Sequence, residues 1–436
     1  MHVLQVCYRV PYPPHDGGAI GVYEIIRGVS EAGHHVTVLA VNTPKHHQPP
    51  TALDHLGPRV RMITVDVDTR LSPWKALRNL LSNKWNNKSS LGLFGTLPYN
   101  VERFVSHPFA VRLAELLRDE HFDVVHFDGT FVALYARWLL SSSEARAMLP
   151  LTGYMPPFVL RAHNVEYIIW QRLAAREKNP LKRWYLALLA ERLQAFESWM
   201  QYAFEATAAI TEEDAERLRA LINNYAGKMA VIPAPANTSR FRPDPARQPQ
   251  PRSLFMLGSL NWLPNLEGVE WFLREVWPQA HRELPELTLH IAGTAPPAHL
   301  TSRPEGQDNV FIHGFVESAP DFMQAYDLML VPLLSGGGMR IKIVEGMALG
   351  KAILSTTIGA EGIDAQDGAE LLLRDGPAAW LDALRDYHHG RLPLAAIGAA
   401  AAEVAQARYS TEAVAQGFVA LYQQAIAARQ PVPVGS

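Results

Sequence analysis

The sequence predicts an α/β fold made of two successive domains, each with a mostly parallel sheet covered on both faces. Three observations carry this. Short β-rich apolar runs alternate with longer helical periodicities. The alternation lapses in a proline-rich stretch at 233–251 and then restarts. The runs are near-continuously apolar, as strands buried on both faces are, and do not alternate as half-exposed strands do.

In order, residues 2–8 (HVLQVCY), 34–42 (HHVTVLAVN), 123–127 (DVVHF), 158–164 (FVLRAHN) and 206–211 (ATAAIT) read as strands. Between the first two lies a helix over 20–33, which Gly33 ends. Thr211 is placed to cap a helix with an acidic first turn over 211–218. After the proline-rich stretch, 253–259, 287–293, 310–316, 328–334 and 351–357 read as strands, and 266–284 as one helix. The domain reading is 1–235, a linker over 236–251, a second domain over 252–408, a helix over 409–428 and a loose tail at 429–436. Two such domains in series suggest a ligand cleft between them.

The 436 residues carry a formal charge of −3, which gives no global reason to expect nucleic acid. One cysteine, Cys7, inside an apolar run, excludes a disulfide framework and a cysteine-rich zinc site. No HExxH or other metal-ligand spacing occurs among the 17 histidines, so no metal is expected. Arg9 and three prolines interrupt the N-terminus, and no run is apolar for the ~18 residues that span a bilayer. The expected location is cytoplasmic, with peripheral contact at the membrane left open.

The strongest motif is Ser335–Lys351. Gly336, Gly337 and Gly338 precede a helix whose start carries Arg340 and Lys342, cations at the end where a helix favours anions. Free N–H groups there point to an anionic ligand, most simply a diphosphate, with Glu345 one turn on free to accept from a sugar or ribose hydroxyl. A second motif, PYPPHDGGAIG over 11–21, follows the first strand and brings Asp16, Gly17 and Gly18 to a strand's carboxyl end. It is neither GxGxxG nor a Walker sequence. RAHNVE at 161–166 would bring His163, Asn164 and Glu166 to the same edge, and His126 in DVVHFD shares that topological position. Over 73–88, Arg and Lys interleave with Trp, a pattern suited either to an anionic lipid surface or to a solvated helix. Residues 166–193 read as helical packing.

Taken together, GSLNWLPN at 258–265, HGFV at 313–316 and the segment 336–363 resemble the second domain of retaining GT-B glycosyltransferases of family four. DGG, RAHNVE and ITEEDAERL are similar to that family's first domain in kind and order. The resemblance implies two Rossmann-like domains with parallel sheets facing across a central cleft. It implies a nucleoside-diphosphate sugar held mainly by the second domain, and a glycan, lipid-linked or small hydroxyl acceptor on the first. Transfer would proceed with retention, without a metal or other cofactor, in cell-surface polysaccharide or glycolipid assembly. The implied catalytic residues are His163, Arg340, Lys342 and Glu345. Gly17, Gly18, Gly258, Ser259, Asn261, Val316, Gly337, Gly338, Met339 and Ile341 would bind the donor, Val316 near the base. Asp16, His126, Asn164 and Glu166 remain on the acceptor side. The sequence departs from the family at two places. The first of its paired glutamates falls on Gly337, and its diphosphate-gripping Arg and Lys fall near Ser259 and Asn265, so Arg340 and Lys342 are assigned that charge. The rival readings are a catalytically lapsed sugar-nucleotide-binding scaffold and a nucleotide-sugar epimerase on the same fold.

Overall fold

The structure, a computed structural model, describes residues 1–14, 16–81, 97–149, 154–222, 227–336 and 338–429. The chain forms two compact units. The first comprises Met1–Pro233 together with the chain from Val414 onward, and the second Ala234–Ala413.

The first unit holds seven strands: β1 His2–Cys7, β2 His35–Asn42, β3 Val60–Asp66, β4 Val124–Asp128, β5 Phe158–Ala162, β6 Ala206–Ala209 and β7 Lys228–Val231. All pair in parallel in the order β3-β2-β1-β4-β5-β6-β7. The order reverses between β1 and β4, which makes a topological switch point at their carboxyl ends. Alternate residues feed two apolar layers. Leu4, Val6, Val125 and Phe127 pack on one face, and Val3, Cys7, Val124 and Val159 on the other. The C-terminal helix Thr411–Ala428 completes the second layer with Phe418, Leu421, Tyr422 and Ala425 and so packs on the first unit.

The second unit has six strands: β8 Gln250–Leu257, β9 Thr288–Ala292, β10 Val310–Gly314, β11 Tyr326–Val331, β12 Ala352–Ser355 and β13 Leu372–Leu373. They are parallel in the order β10-β9-β8-β11-β12-β13, with a switch point between β8 and β11.

Three readings need correction. The 236–251 segment is not a linker but part of the second unit: Ala236 pairs with Ser410, Phe241 is buried in its core, and the Asp244 N–H donates to Gln324 Oε1 at 2.7 Å. The helix read over 266–284 breaks at Val276 into Leu263–Glu275 and Trp277–Glu283, because Pro278 cannot continue a helix. Residues 166–193, read as helical packing, are helical and form a hairpin of Glu166–Arg176 and Pro180–Ala203, the second capped by Asn179 with Pro180 in its first turn. Arg429 is not part of a loose tail, since its guanidinium donates to Pro156 O and pairs with Glu205; residues 430–436 lie outside the described residues.

Candidate active site

The predicted site residues fall into two groups, one on each unit. On the first unit they gather at the β1/β4 switch point. β4 ends on Asp128, whose side chain is fully buried. Asp128 Oδ2 accepts from Gln5 Nε2 at 2.7 Å on β1, and Oδ1 accepts from Arg161 Nη1 at 3.1 Å on β5 and from His163 Nε2 just past β5. Burial alone would raise the Asp128 carboxyl, but Arg161 and His163 outweigh it and hold it well below the ordinary carboxylate range. Burial, then Arg161, lower the His163 imidazole against the opposing pull of Asp128. With Nε2–H donated to Asp128, Nδ1 is left as an acceptor. Gly129, at φ +107°, follows Asp128, and a Cβ there would press to 3.4 Å on both His163 and Tyr8. The Tyr8 ring meets His163 edge-on at 5.6 Å.

Asp16 caps the helix Gly17–Glu31 by accepting from the Ala19 N–H at 3.1 Å, and it also pairs with Arg9. A Cβ on Gly18 would come within 2.9 Å of Arg9 Nη2 and 3.0 Å of Tyr8 Oη, so a larger residue there would displace these side-chain ends. Glu166 Oε1 meets Asn164 Nδ2 at 3.5 Å, and burial raises its carboxyl. The turn that carries His163 and Asn164 is held by Glu197, which accepts from the N–H groups of Glu166 and Tyr167 at 2.9 and 3.0 Å.

His126 departs from expectation. It is fully buried on the sheet face under the C-terminal helix, bonded through Nδ1 to Tyr422 Oη at 2.7 Å and stacked on Phe418. Burial lowers it to about 4, so it is a neutral core histidine and not an acceptor contact.

On the second unit the site forms at the β8/β11 switch point. The helix Ile341–Ala348 starts with Arg340 at its N-cap, no side-chain cap and no acidic residue in its first turn. Arg340 Nη1 donates to Gly338 O at 2.6 Å, and its guanidinium lies 5.4 Å from the Trp262 ring centroid. Lys342 Nζ donates to Asn265 Oδ1 at 2.8 Å, and both groups border Gly258. Burial, then Arg340, push Lys342 down to about 7. Burial pushes Glu345 up to about 7, against the opposing charge of Arg240. Ser259 Oγ bonds Asn261 Oδ1 and Thr294 Oγ1 at 2.7 and 2.6 Å. Met339, Ile341 and Val316 turn their side chains onto the core of this unit, which leaves backbone groups for a ligand at the first two. Gly337 lies outside the described residues.

The structure adds Asp128, Arg161, Glu197, Asn265 and Glu267 to the predicted set. Asp128 could have been found by extending strand alternation from His126 to the strand's last residue. Glu267 is presented by Ser335, whose Oγ donates to its Oε2 at 2.9 Å at the start of the glycine loop.

Residues 16–235 match the glycosyl transferase 4-like domain, and residues 251–389 match glycosyl transferases group 1. The chain belongs to the group 1 glycosyl transferases. As a glycosyltransferase of that group it is similar to a 44.6 kDa protein of unassigned role in the cps region of Klebsiella pneumoniae, at 21% identity over 88% of this chain and 90% of that one. Its fold is that of sucrose-phosphate synthase from Thermosynechococcus elongatus, with a TM-score of 0.66 at 17% identity over 98% and 100% of the two chains. Anabaena HepE in complex with UDP matches with a TM-score of 0.61 at 13% identity over 97% and 100%. These likenesses establish the GT-B fold for the glycosyltransferase. Among its described residues, no helix is long and apolar enough to cross a membrane.

Proposed function

We propose that the protein transfers a sugar from a nucleoside-diphosphate sugar to a hydroxyl of a glycan or lipid-linked acceptor, with retention and without a metal, in polysaccharide or glycolipid assembly on the cytoplasmic side. The observation that carries the donor assignment is the uncapped helix Ile341–Ala348 with Arg340 and Lys342 at its start and Glu345 one turn on. N–H groups and two cations at one helix end make an anion site. Two cations beside that helix end stabilise charge that develops on a diphosphate leaving group. Glu345 accepts from ribose hydroxyls. Glu267, held by Ser335, is the carboxylate near the glycine loop available to hydroxyls of the sugar.

In the reaction the bond from the anomeric carbon to the phosphate oxygen breaks, and a bond to the acceptor oxygen forms on the same face. The acceptor proton passes to the departing diphosphate. His163, fixed by Asp128, positions the sugar and stabilises positive charge on its ring. The UDP complex of HepE and the cps-region setting of the Klebsiella relative support a nucleotide-sugar donor and a polysaccharide role.

A thermal-shift screen with UDP, GDP, ADP and their sugar conjugates tests the donor site. A ligand at about 100 times its Kd stabilises by roughly 2.7 kcal/mol. Stabilisation by one nucleoside-diphosphate family is expected, and none by any of them would overturn the reading. Product NMR must show a retained anomeric configuration, and turnover must survive EDTA.

A further inference from the structure

We infer that the first unit selects a negatively charged sugar acceptor, with Arg103 as the residue that reads the carboxylate or phosphate which that acceptor carries. This rests on the glycosyl transfer proposed above and adds to it the charge of the acceptor and the group that recognises it.

Arg103 follows the short helix Tyr99–Glu102, which packs against the turn Thr130–Val132 just beyond β4. A run of ring contacts links it to His163. The Tyr8 ring, just past β1, meets His163 at 5.6 Å, Phe131 at 6.0 Å and Phe104 at 6.4 Å. Phe104 stacks on Phe131 at 5.3 Å, and the Arg103 guanidinium lies 4.9 Å from the Phe104 ring centroid. Tyr8 and Phe131 are half-buried, so their rings leave an aromatic wall beside the catalytic histidine. Such rings give a sugar a broad apolar contact, while a few polar groups fix its orientation.

Charge identifies what is bound. The guanidinium groups of Arg9 and Arg161 at this end of the sheet are matched by Asp16 and Asp128. Arg103 has no carboxylate at ion-pair distance among the described residues, and its Nε is buried without a hydrogen-bond partner there. Burial disfavours its charged form. Asn100 lies one turn earlier on the same helical face and is 8% exposed, yet neither its Oδ1 nor its Nδ2 has a partner among the described residues. A half-buried cation and a buried amide left open together cost stability, which a ligand bonded to both would offset. A carboxylate or phosphate accepts from the guanidinium fork and from Asn100 Nδ2, and a neighbouring sugar hydroxyl donates to Asn100 Oδ1.

Saturation-transfer NMR with methyl glycosides of glucose, galactose and mannose, each as the neutral sugar, the uronate and the 6-phosphate, tests this without a donor. Expected is binding of at least one charged sugar about tenfold tighter than its neutral counterpart, and the preferred form shows which anion is read. R103Q should remove that preference, R103K should lose about threefold because it keeps the charge without the fork, and K342M on the other unit should leave it intact. R103Q should also unfold at or above the wild-type temperature, since it removes a buried charge that nothing offsets. Equal binding of neutral and charged sugars, no sugar bound at all, a charge preference that survives R103Q, or one that K342M abolishes would overturn the proposal. So would a destabilised R103Q protein that loses neutral and charged sugars alike, which would make Arg103 a support for Phe104. Nucleotide binding in the thermal-shift screen reports on the donor separately, so either reading can fail while the other stands.

Discussion

Lys342 Nζ lies 2.8 Å from Asn265 Oδ1, a residue 77 positions earlier in the chain. A neutral amide, not a carboxylate, holds this cation, so the charge of Lys342 is left for an incoming anion. The hydrogen bond brings Lys342 to Asn265, near which the family resemblance places a lysine.

Lys342 and Glu345 both sit near 7, displaced in opposite directions by burial. Donor binding should therefore change the sign of its proton linkage near neutrality. At pH 8 Lys342 is mostly neutral and Glu345 ionised; a diphosphate favours the ammonium, so binding takes up close to one proton. At pH 6 Lys342 is charged and Glu345 protonated; ribose hydroxyls favour the carboxylate, so binding releases one. Titration calorimetry in buffers of different ionisation enthalpy reads both. K342M should abolish the uptake and E345Q the release. Heats independent of buffer at both pH values would refute the assignment.

Asp128 and Arg161 form a buried pair under His163, so their roles separate by variant. H163A should fold normally, keep donor affinity within about twofold, and lose on the order of a hundredfold in kcat. D128N leaves the Arg161 guanidinium buried without its carboxylate and should cost about 3–5 kcal/mol, on the order of 10 °C in Tm. Because the Asp128 carboxyl lies well below its ordinary value, wild type keeps this stabilisation above about pH 4 and loses it only on further acidification. A D128N protein as stable as wild type would contradict the pair.

Much of this was legible in the sequence because chemistry punctuates element ends. His163, Arg340 and Lys342 interrupt apolar runs where a strand stops or a helix starts. The central strands β1, β4, β5, β8 and β11 announced themselves as apolar runs. β3 and β7, at the two edges of the first sheet, are half exposed and gave no such run. Strand alternation from His126 reaches Asp128, but its partners lie on β1 and β5, and only strand order brings them together. Glu267 and Ser335 meet through the packing of a helix onto the exit of β11, which no local pattern encodes. The proline-rich segment misled because prolines suit an extended chain that packs against a domain as well as one that joins two.

Glu197 gives a pH signature of stability. Burial pushes its carboxyl up to about 8 although two N–H groups donate to it. The folded state therefore binds the proton more tightly than the unfolded chain, and the stability this contributes is present below about pH 4.5 and lost as pH rises toward 8. The difference between wild type and E197Q in chemical denaturation should change by up to about 1.4 kcal/mol per pH unit across that window. Parallel stability curves for the two proteins would show that Glu197 does not titrate there.

Glu267 is the test of how the sugar is read. Ser335 Oγ holds its Oε2 at 2.9 Å, at the head of a glycine loop whose own glutamate position is Gly337. A carboxylate that accepts from sugar hydroxyls contributes to the sugar conjugate and not to the bare nucleotide. E267Q and E267A should thus leave nucleoside-diphosphate affinity within about twofold and lower kcat/KM for the sugar donor by on the order of tenfold or more. S335A, which frees Glu267 without removing it, should give a smaller loss and a broader range of accepted sugars. Equal losses for nucleotide and nucleotide sugar would mean that Glu267 shapes the loop and reads no hydroxyl.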